Sequence, residues 1–564
     1  MGNIVIIRRS QDIPTAKKIL AQVKDCRVLV FDPVMVDLVY YEGIKDVEYF
    51  NWAECPAYAD LEQECKELAM RMEDRLADIT KPFFPDCDLQ GWQQLNLYYL
   101  TVSLQWYSAL WHAITGVLLG QKVHIIVCDN PLTYYFNSNI PALLLIERVK
   151  LLQIEFETYH YIESDRPAAN QILDLQVELE DVQHETLLTH LPTCVYDLIF
   201  FNKELEASEK KVINLQAKHF DMPARAHLSM RITDLAAVWD NLNPIIQTQL
   251  QNIYLQLVPA IDQMLALWLK LPEHRQAQVE QIAKVYQAQF CNWILLNIFF
   301  FRSKPSKILL SDHDADFHGP IINFAKNNNI PVLLLPHAKT IAQVDFSYKN
   351  ITAFTHPMQG NVILNRNREM VENVPFIYPE VHQARPKLNR PIKKIGLMLN
   401  SISLNGVYYC DYGIYMQGIV QIIQWCQARN LELQIRGKPS YSIVRLIAAH
   451  TGFNLNKLVE CVLGPIEDFV EDCDVCLMYD TPTSGCIEFL RRGIPILNPL
   501  VHQLSLSEST FSSPNFISRK PVVNILADLE PLLLDEDAFE AFRMDQFNRY
   551  TQSFENLQRL HKYL

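Results

Sequence analysis

One short segment of the sequence is dense in side chains that carry out proton chemistry. Three aspartates (Asp312, Asp314 and Asp316) and two histidines stand between residues 312 and 318, directly after the predicted strand Lys307–Ser311. Charged groups at this density are costly to bury without a function, and such clusters supply general bases, nucleophiles or metal ligands. A solvated loop that caps the following helix is the alternative interpretation of the same residues.

The strands predicted next also end in histidines. Pro331–Leu335 is followed by His337, and Ile351–Thr355 is followed by a further histidine. Because the carboxyl ends of parallel strands meet at one edge of a sheet, we expect these side chains at the same edge as the aspartates. We predict that Asp312, Asp314 and His337 form the catalytic set.

A run of hydroxyl side chains follows the predicted strand Val475–Met478. Thr483 and Ser484 stand where this strand turns into a helix, and Glu488 lies one turn into that helix. Hydroxyls and free backbone N–H groups at a helix N-terminus favour a phosphate, and a nearby carboxylate can accept hydrogen bonds from ribose hydroxyls. An ordinary helix cap, with Gly493 ending the helix, is the alternative.

Two other turns carry charged residues at predicted strand ends. Arg436 and Lys438 follow the predicted strand Leu431–Ile435, and two cations at that position suit a phosphate. Glu467 follows the predicted strand Cys461–Leu463, where a carboxylate could recognise the amino group of a base. Taken singly, each turn also fits a common alternative: a basic surface turn, or an acid stabilised by a helix dipole.

Together and in this order, the three turns resemble the donor-binding half of GT-B glycosyltransferases. In that fold a nucleotide is held by a Ser/Thr-rich turn and a Glu-bearing helix before a Gly-x-Pro strand, and this sequence has Gly493 and Pro495 at those places. More narrowly, the turns are similar to those of bacterial sialyltransferases and Kdo transferases that use CMP-activated acids. Lys438 stands where those families have a His. The likeness covers roughly residues 394–499, and the N-terminal half only by architecture.

The resemblance implies an α/β protein of the GT-B class, with two Rossmann-like domains facing a cleft. It implies a nucleotide-sugar donor, of the CMP-Kdo or CMP-sialic acid type, and a glycan or glycolipid acceptor in surface polysaccharide synthesis. No metal or other cofactor is expected, because helix N-termini and cations hold the phosphate in such enzymes. The nucleotide-binding residues that it implies are Arg436, Lys438, Glu467, Thr483, Ser484 and Glu488.

The stereochemistry of transfer stays open at this stage. In an inverting reaction one member of the predicted catalytic set takes the proton of the acceptor hydroxyl as general base. In a retaining reaction an aspartate attacks the anomeric carbon and forms a covalent intermediate.

The predicted elements fall into three segments. Strands and helices alternate in an N-terminal acceptor and catalytic domain, residues 1–385, which is interrupted by a mostly helical insertion at about 170–300. A Pro-rich stretch then precedes a second strand–helix series, the predicted nucleotide-donor domain at 390–535. A helical tail at 536–564 follows and is expected to pack back across the cleft.

The amino-acid composition disfavours some classes of function. The 564 residues carry a net charge of −14, which disfavours a nucleic-acid partner. The 13 cysteines are an odd number scattered through the chain and predict reduced, buried thiols. No signal peptide and no apolar run of about 18 residues is found. We therefore expect a cytoplasmic protein, with peripheral contact at the inner face of the membrane left open.

Two other functions fit the same features. A GT-B-fold sugar-nucleotide epimerase would use the same cleft on one substrate, and a non-catalytic scaffold of a polysaccharide assembly complex would need no chemistry. The helical insertion favours a transferase over an epimerase, since an epimerase needs no acceptor surface. The dense Asp/His segment argues against a silent scaffold.

Overall fold

Three parallel sheets organise the chain in the computed structural model. The structure describes residues 2–31, 33–49, 58–129, 139–162, 171–173, 186–191, 198–215, 228–230, 232–311, 317–335, 346–355, 357, 365–375, 383–388, 391–399, 412–437, 444–480, 485–501, 516–555 and 557–564.

The first sheet has five parallel strands in the order β3-β2-β1-β4-β5. Its inner strands are short apolar runs, as expected for parallel strands covered on both faces. The strands are β1 Gly2–Ile7, β2 Cys26–Val30, β3 Val47–Tyr49, β4 Gln121–Cys128 and β5 Phe156–Tyr161. The helices of this part are α1 Ile13–Gln22, α2 Pro33–Tyr41, α3 Tyr58–Thr80, α4 Gln94–Ala113, α5 Thr115–Leu118 and α6 Ile140–Leu151.

The second sheet has seven parallel strands in the order β14-β13-β12-β11-β7-β8-β9. Strands β6 Gln171–Leu173 and β10 Ile232–Asp234 form a separate antiparallel pair. The sheet strands are β7 Thr186–His190, β8 Lys211–Leu215, β9 Leu228–Met230, β11 Lys307–Ser311, β12 Val332–Leu335, β13 Ile351–Thr355 and β14 Glu372–Pro375. The helices are α7 Leu198–Ala207, α8 Leu235–Val238, α9 Pro244–Leu265, α10 Pro272–Phe299 and α11 His318–Asn328.

The third sheet again has five parallel strands, in the order β16-β15-β17-β18-β19. They are β15 Lys394–Leu399, β16 Glu432–Arg436, β17 Val475–Tyr479, β18 Ile496–Leu500 and β19 Ser518–Pro521. The helices are α12 Tyr412–Ala428, α13 Val444–Thr451, α14 Leu455–Leu463, α15 Ile466–Glu471, α16 Cys486–Leu490, α17 Val522–Leu534 and α18 Glu536–Gln552.

The predicted α/β class, with parallel strands joined by helices, is confirmed. Within the predicted N-terminal domain the structure contains two parallel sheets, and one hydrophobic core includes Ile4 of the first and Leu310 of the second. Short strands, β6 to β10, occupy the beginning of the stretch that the sequence predicted to be mostly helical. Helices α8, α9 and α10 follow them. The domain boundaries stay predictions.

One predicted strand is wrong. The segment Cys461–Leu463 is the end of helix α14, which begins at an Asn454 cap. The Asn454 side chain accepts hydrogen bonds from the amides of Asn456 and Lys457. The helix also buries Leu458 and Val462, four residues apart, on one face. This helical spacing outweighs the short apolar run at the end of the segment.

A buried ion pair fastens the segment before β14 to the helical layer. The Glu73 carboxylate on α3 is fully buried and accepts hydrogen bonds from the amides of Gly91 (2.7 Å) and Gln93 (2.6 Å). Arg366 is 4% exposed and lies 2.7 Å from both Glu73 and Asp74. Burial raises the pKa of Glu73 above its usual value, although Arg366 and the two amides oppose the rise.

Residues 559–564, the C-terminal tail, lie on the second sheet. The fully buried Glu204 carboxylate on α7 accepts hydrogen bonds from the Arg559 guanidinium (2.9 Å) and from the amide and ring of His561 (2.8 and 2.9 Å). Burial raises the pKa of Glu204, but these hydrogen bonds together outweigh it and leave the pKa below its usual value. Leu560 and Leu564 are buried in the same core as Leu187, Leu309, Leu333 and Phe354.

Candidate functional site

The order of strands marks one candidate position in the second sheet. Strands on one side of β7 follow it directly in the chain (β8, β9), whereas β11 and its successors extend on the other side. The direction in which successive strands are added to the sheet therefore reverses between β7 and β11. In open α/β sheets, ligands bind beside such a switch point, at the carboxyl ends of the strands.

Two buried histidines occupy this carboxyl edge. His190 is the last residue of β7 and is fully buried, and its Nδ1 lies 3.0 Å from the carbonyl oxygen of Leu215, to which it donates. His318 begins α11 and is 4% exposed. The two rings lie 5.8 Å apart in an edge-on arrangement, with the Phe317 ring 5.4 Å from His190. The switch point is therefore lined by imidazoles that the packing holds in fixed orientations.

The predicted catalytic residues Asp312, Asp314 and His337 lie outside the described residues and stay predictions. The strands that precede them are described. β11 ends at Ser311, which pairs in register with Leu335, the last residue of β12. The predicted aspartates and the predicted histidine thus follow neighbouring strands that end level with each other.

The sequence reasoning missed His190 altogether. Its strand fell in the stretch predicted to be helical, although the run Thr186–His190 is short, rich in Leu and Thr, and fully buried. A proline at position 192 closes the run. A short apolar run ended by proline favours a buried strand over a helix, and this signal would have found it.

The third sheet has its own switch point, between β15 and β17. β16 lies on one side of β15, whereas β17, β18 and β19 lie on the other. Asp480, directly after β17, has a backbone φ of 59° and is 9% exposed. Its amide donates to the Pro499 carbonyl (2.8 Å) and its carboxylate accepts from the Val501 amide (3.2 Å). This strained, left-handed aspartate lies at the switch-point edge, where open α/β sheets in general bind ligands, and the sequence reasoning did not single it out.

Arg436 ends β16 with its guanidinium turned to the neighbouring helices. Nη1 donates to the carbonyls of Cys461 (2.5 Å), Gly464 (2.8 Å) and Pro465 (3.4 Å), at the end of α14 and the turn after it. The guanidinium also lies 6.0 Å from the Phe469 ring centroid. These contacts tie the α14–α15 turn to the sheet, and the predicted role of Arg436 in phosphate binding stays a prediction.

Glu488 is held by two neighbouring arginines. Its carboxylate lies 2.5 Å from Arg491 and 3.1 Å from Arg492, and it is 17% exposed. Arg492 in turn pairs with Glu471 at 2.8 Å. Glu467 is exposed in the first turn of α15. Both glutamates stay predicted nucleotide contacts, while Lys438, Thr483 and Ser484 lie outside the described residues.

Within the described ranges, no group of three or more His, Cys, Asp or Glu side chains is arranged to hold a metal ion. Burial raises the pKa of both Cys473 and Cys476 well above the usual thiol value. These thiols belong to the hydrophobic core beneath α15 and α16. Of the helices described, none combines the length and the apolar character needed to cross a bilayer.

Comparison with known proteins gives no family by sequence. No family model matches the chain, and no curated protein matches it in sequence. Solved structures with a similar fold include the glycotransferase of kitacinnamycin, at 11% identity and a TM-score of 0.36, covering 68% of this chain and 98% of its own. MurG of Acinetobacter baumannii matches at 9% identity and a TM-score of 0.35, covering 67% of this chain and 97% of its own. A putative UDP-N-acetylglucosamine 2-epimerase from Listeria monocytogenes matches at 10% identity and a TM-score of 0.30, covering 67% and 98%. At these values no functional conclusion rests on the likeness.

Proposed function

We propose that the protein is a glycosyltransferase that moves a sugar from a nucleotide-activated donor to a glycan or glycolipid acceptor. One observation carries the proposal: the second and third sheets each have a topological switch point, and the chain places different chemistry at each. An Asp/His segment follows β11 of the second sheet, and a Thr/Ser turn follows β17 of the third. This division suits a reaction in which one sheet holds the donor and the other holds the reacting groups.

The third sheet is the proposed donor side. Thr483 and Ser484 follow the strained Asp480, and they are proposed to bind the phosphate with Lys438. Glu488 is proposed to accept hydrogen bonds from ribose hydroxyls. Arg436 and Glu467 complete the proposed nucleotide set, with Glu467 directed to the base.

The second sheet is the proposed reacting side. Asp312 or Asp314 is proposed to take the proton of the acceptor hydroxyl, or to attack the anomeric carbon, and His337 to assist the leaving group. The buried pair His190 and His318 supports this placement, because it puts two imidazoles at the carboxyl edge of the same sheet, where β11 also ends.

The finer features of the proposal follow the sequence resemblance. The donor is proposed to be a CMP-activated acid sugar of the Kdo or sialic acid type, and the pathway to be surface polysaccharide synthesis. No metal is proposed, since Lys438 and the helix N-terminus after Thr483 are proposed to supply the charge that a metal would otherwise give. The proposed location is the cytoplasm, at the inner face of the membrane.

Nucleotide binding gives the first test. CMP, UDP and GDP are compared by the rise in melting temperature that each causes, which reports binding to the folded state. Lys438→Ala should weaken binding of the preferred nucleotide by about 1.5–3 kcal/mol, the scale of a hydrogen bond to a charged group. The matched control is Lys457→Ala, which removes an exposed lysine from α14. Equal affinity in both variants contradicts the donor-site assignment.

Turnover gives the second test. Asp312→Asn and Asp314→Asn should abolish sugar transfer while nucleotide affinity stays near that of the unaltered protein, since the aspartates follow a strand of the other sheet. Near-normal transfer in both variants would show that the segment is a solvated cap. Conversion of a sugar nucleotide without any acceptor would identify an epimerase instead.

A further inference from the structure

Two loops at the amino edge of the second sheet project aromatic side chains into solvent. One follows α3 and carries Phe83, which is 56% exposed. The other follows α10 and carries Phe301, which is 81% exposed, and Ile298 at the end of the helix is 51% exposed. Large apolar side chains this exposed and grouped usually mark an interaction surface.

The packing of each loop directs these residues outward. Phe84, next to Phe83, lies with its ring 4.5 Å from Phe290 of α10. Phe300, next to Phe301, is fully buried, and its ring lies 5.5 Å from Phe324 of α11. In each loop one aromatic ring therefore anchors the loop while its neighbour is left exposed.

Helix α11 holds the two loops side by side. Phe324 contacts the α10 loop, and one turn further along, the Asn327 side chain donates to the Asp86 carbonyl of the α3 loop (2.6 Å). Lys326 pairs with Asp88 at 2.9 Å. One helical turn advances about 5 Å, so the two loops pack side by side against the same end of α11.

This surface is cationic in an acidic protein. Lys81, Arg302 and Lys304 are exposed beside the aromatics, and no carboxylate of the described residues lies within ion-pair distance of any of them. The segment 81–88 has Lys81 and two carboxylates, Asp86 and Asp88, of which Asp88 is paired with Lys326, whereas the segment 301–306 has two cations and no acid. The loops therefore carry an excess of positive charge, whereas the chain as a whole carries −14.

We propose that this surface, the aromatic edge (Lys81, Phe83, Ile298, Phe301, Arg302 and Lys304), docks onto an anionic lipid bilayer. Separate apolar tips flanked by unpaired cations suit the boundary between headgroups and acyl chains, where the rings insert and the cations meet anionic headgroups. A bilayer rather than a protein is favoured because the apolar residues are projecting tips and not a groove or a flat patch. Docking leaves the carboxyl edge of the sheet, with the candidate site, open to soluble ligands.

Vesicle sedimentation tests the proposal with the full chain. The protein should sediment with vesicles of phosphatidylcholine and phosphatidylglycerol, less with phosphatidylcholine alone, and less again in high salt. Phe83→Ser and Phe301→Ser should each weaken binding about tenfold through lost apolar burial. Arg302→Gln and Lys304→Gln should each weaken it about fivefold.

Leu267→Ser is the matched control. Leu267 is 65% exposed after α9, at the opposite end of the α9–α10 hairpin, so its loss should leave vesicle binding unchanged. No binding of the unaltered protein, or an equal loss with Leu267→Ser and Phe301→Ser, overturns the proposal. Dimers that Phe301→Ser converts to monomers, with no vesicle binding, would instead make the aromatic edge an interface between copies of the chain.

Discussion

Replacing Arg366 by methionine should destabilise the fold by leaving the buried Glu73 carboxylate without its cation. Arg366 is 4% exposed and lies 2.7 Å from Glu73, which is fully buried. Methionine keeps the unbranched apolar stem of the side chain and removes the guanidinium, with its charge and its hydrogen bonds. Breaking a buried pair from one side typically costs about 3–5 kcal/mol.

The contacts that remain place the cost at the lower end of that range. Glu73 keeps the amides of Gly91 and Gln93 and the Tyr286 hydroxyl (3.1 Å), so the carboxylate is not left bare. Asp74, the second partner of Arg366, is 45% exposed and can be hydrated. We expect about 3 kcal/mol of lost free energy of unfolding.

The stability lost through Arg366→Met should increase as the pH rises. The pKa of Glu73 is already raised by burial, and loss of Arg366 should raise it further. A carboxyl whose pKa is higher in the folded than in the unfolded state binds more protons when folded, so stability falls as pH rises from the unfolded value, about 4.3, through the folded value. The difference between variant and unaltered protein should therefore be larger at neutral pH than near the unfolded pKa of about 4.3.

Urea unfolding followed by tryptophan fluorescence and circular dichroism measures the effect. Arg368→Met is the control, because Arg368 is 73% exposed and lies 3.9 Å from the exposed Glu67. Adding Glu73→Gln to Arg366→Met should restore most of the stability and remove the added pH dependence, since the orphaned charge is gone. Equal stability of Arg366→Met and Arg368→Met, or a loss that shrinks with rising pH, would refute the reasoning.

Three further predictions follow from packing. Glu204→Gln should increase the rate of amide hydrogen exchange in the C-terminal tail by roughly tenfold to a hundredfold, because hydrogen bonds to a charged group contribute about 1.5–3 kcal/mol. An unchanged exchange rate would contradict this prediction. Gly396→Ala should cost about 1–3 kcal/mol in urea unfolding, because a Cβ there would overlap the Cys473 sulfur, whereas Gly116→Ala meets open space and should be neutral or stabilising. In the native protein, a thiol reagent should label the half-buried Cys26 faster than the fully buried Cys476, as measured by mass mapping of the labelled sites. Equal labelling rates would contradict the interpretation of Cys476 as an inert core thiol.

The sequence was most informative where strands are continuous apolar runs. Strands β1, β11, β12 and β17 were predicted close to their observed bounds because each is covered on both faces by helices, and burial on both faces removes polar residues. The edge strand β5 was not predicted. Half of its residues, Phe156–Tyr161, are exposed and none is fully buried, and they include a glutamate and a histidine, so periodicity alone does not reveal them.

The sequence singled out some of the residues that follow the strands of the candidate site, and their roles stay predictions. Patterns of polar residues after predicted strands led to Glu488 and to the Asp/His segment before His318. His190 was missed because its strand was not recognised, and Asp480 because backbone strain depends on the hydrogen bonds made by β18, far along the chain. The local sequence around Arg436 shows a basic turn. In the structure its guanidinium donates hydrogen bonds to the carbonyls of Cys461 and Gly464, which only tertiary packing brings near.

The contact between Glu204 and the C-terminal tail has a consequence for synthesis of the chain. Glu204 and Arg559 are 355 positions apart. At bacterial or eukaryotic elongation rates, roughly 20 to 70 seconds separate the two residues on the ribosome. During that interval the carboxylate lacks its Arg559 partner, and once Leu309 has been made, the apolar face around Leu187 and Leu309 is uncovered. The second sheet therefore stays incomplete until the tail arrives, and until then it presents an apolar face to which a chaperone can bind.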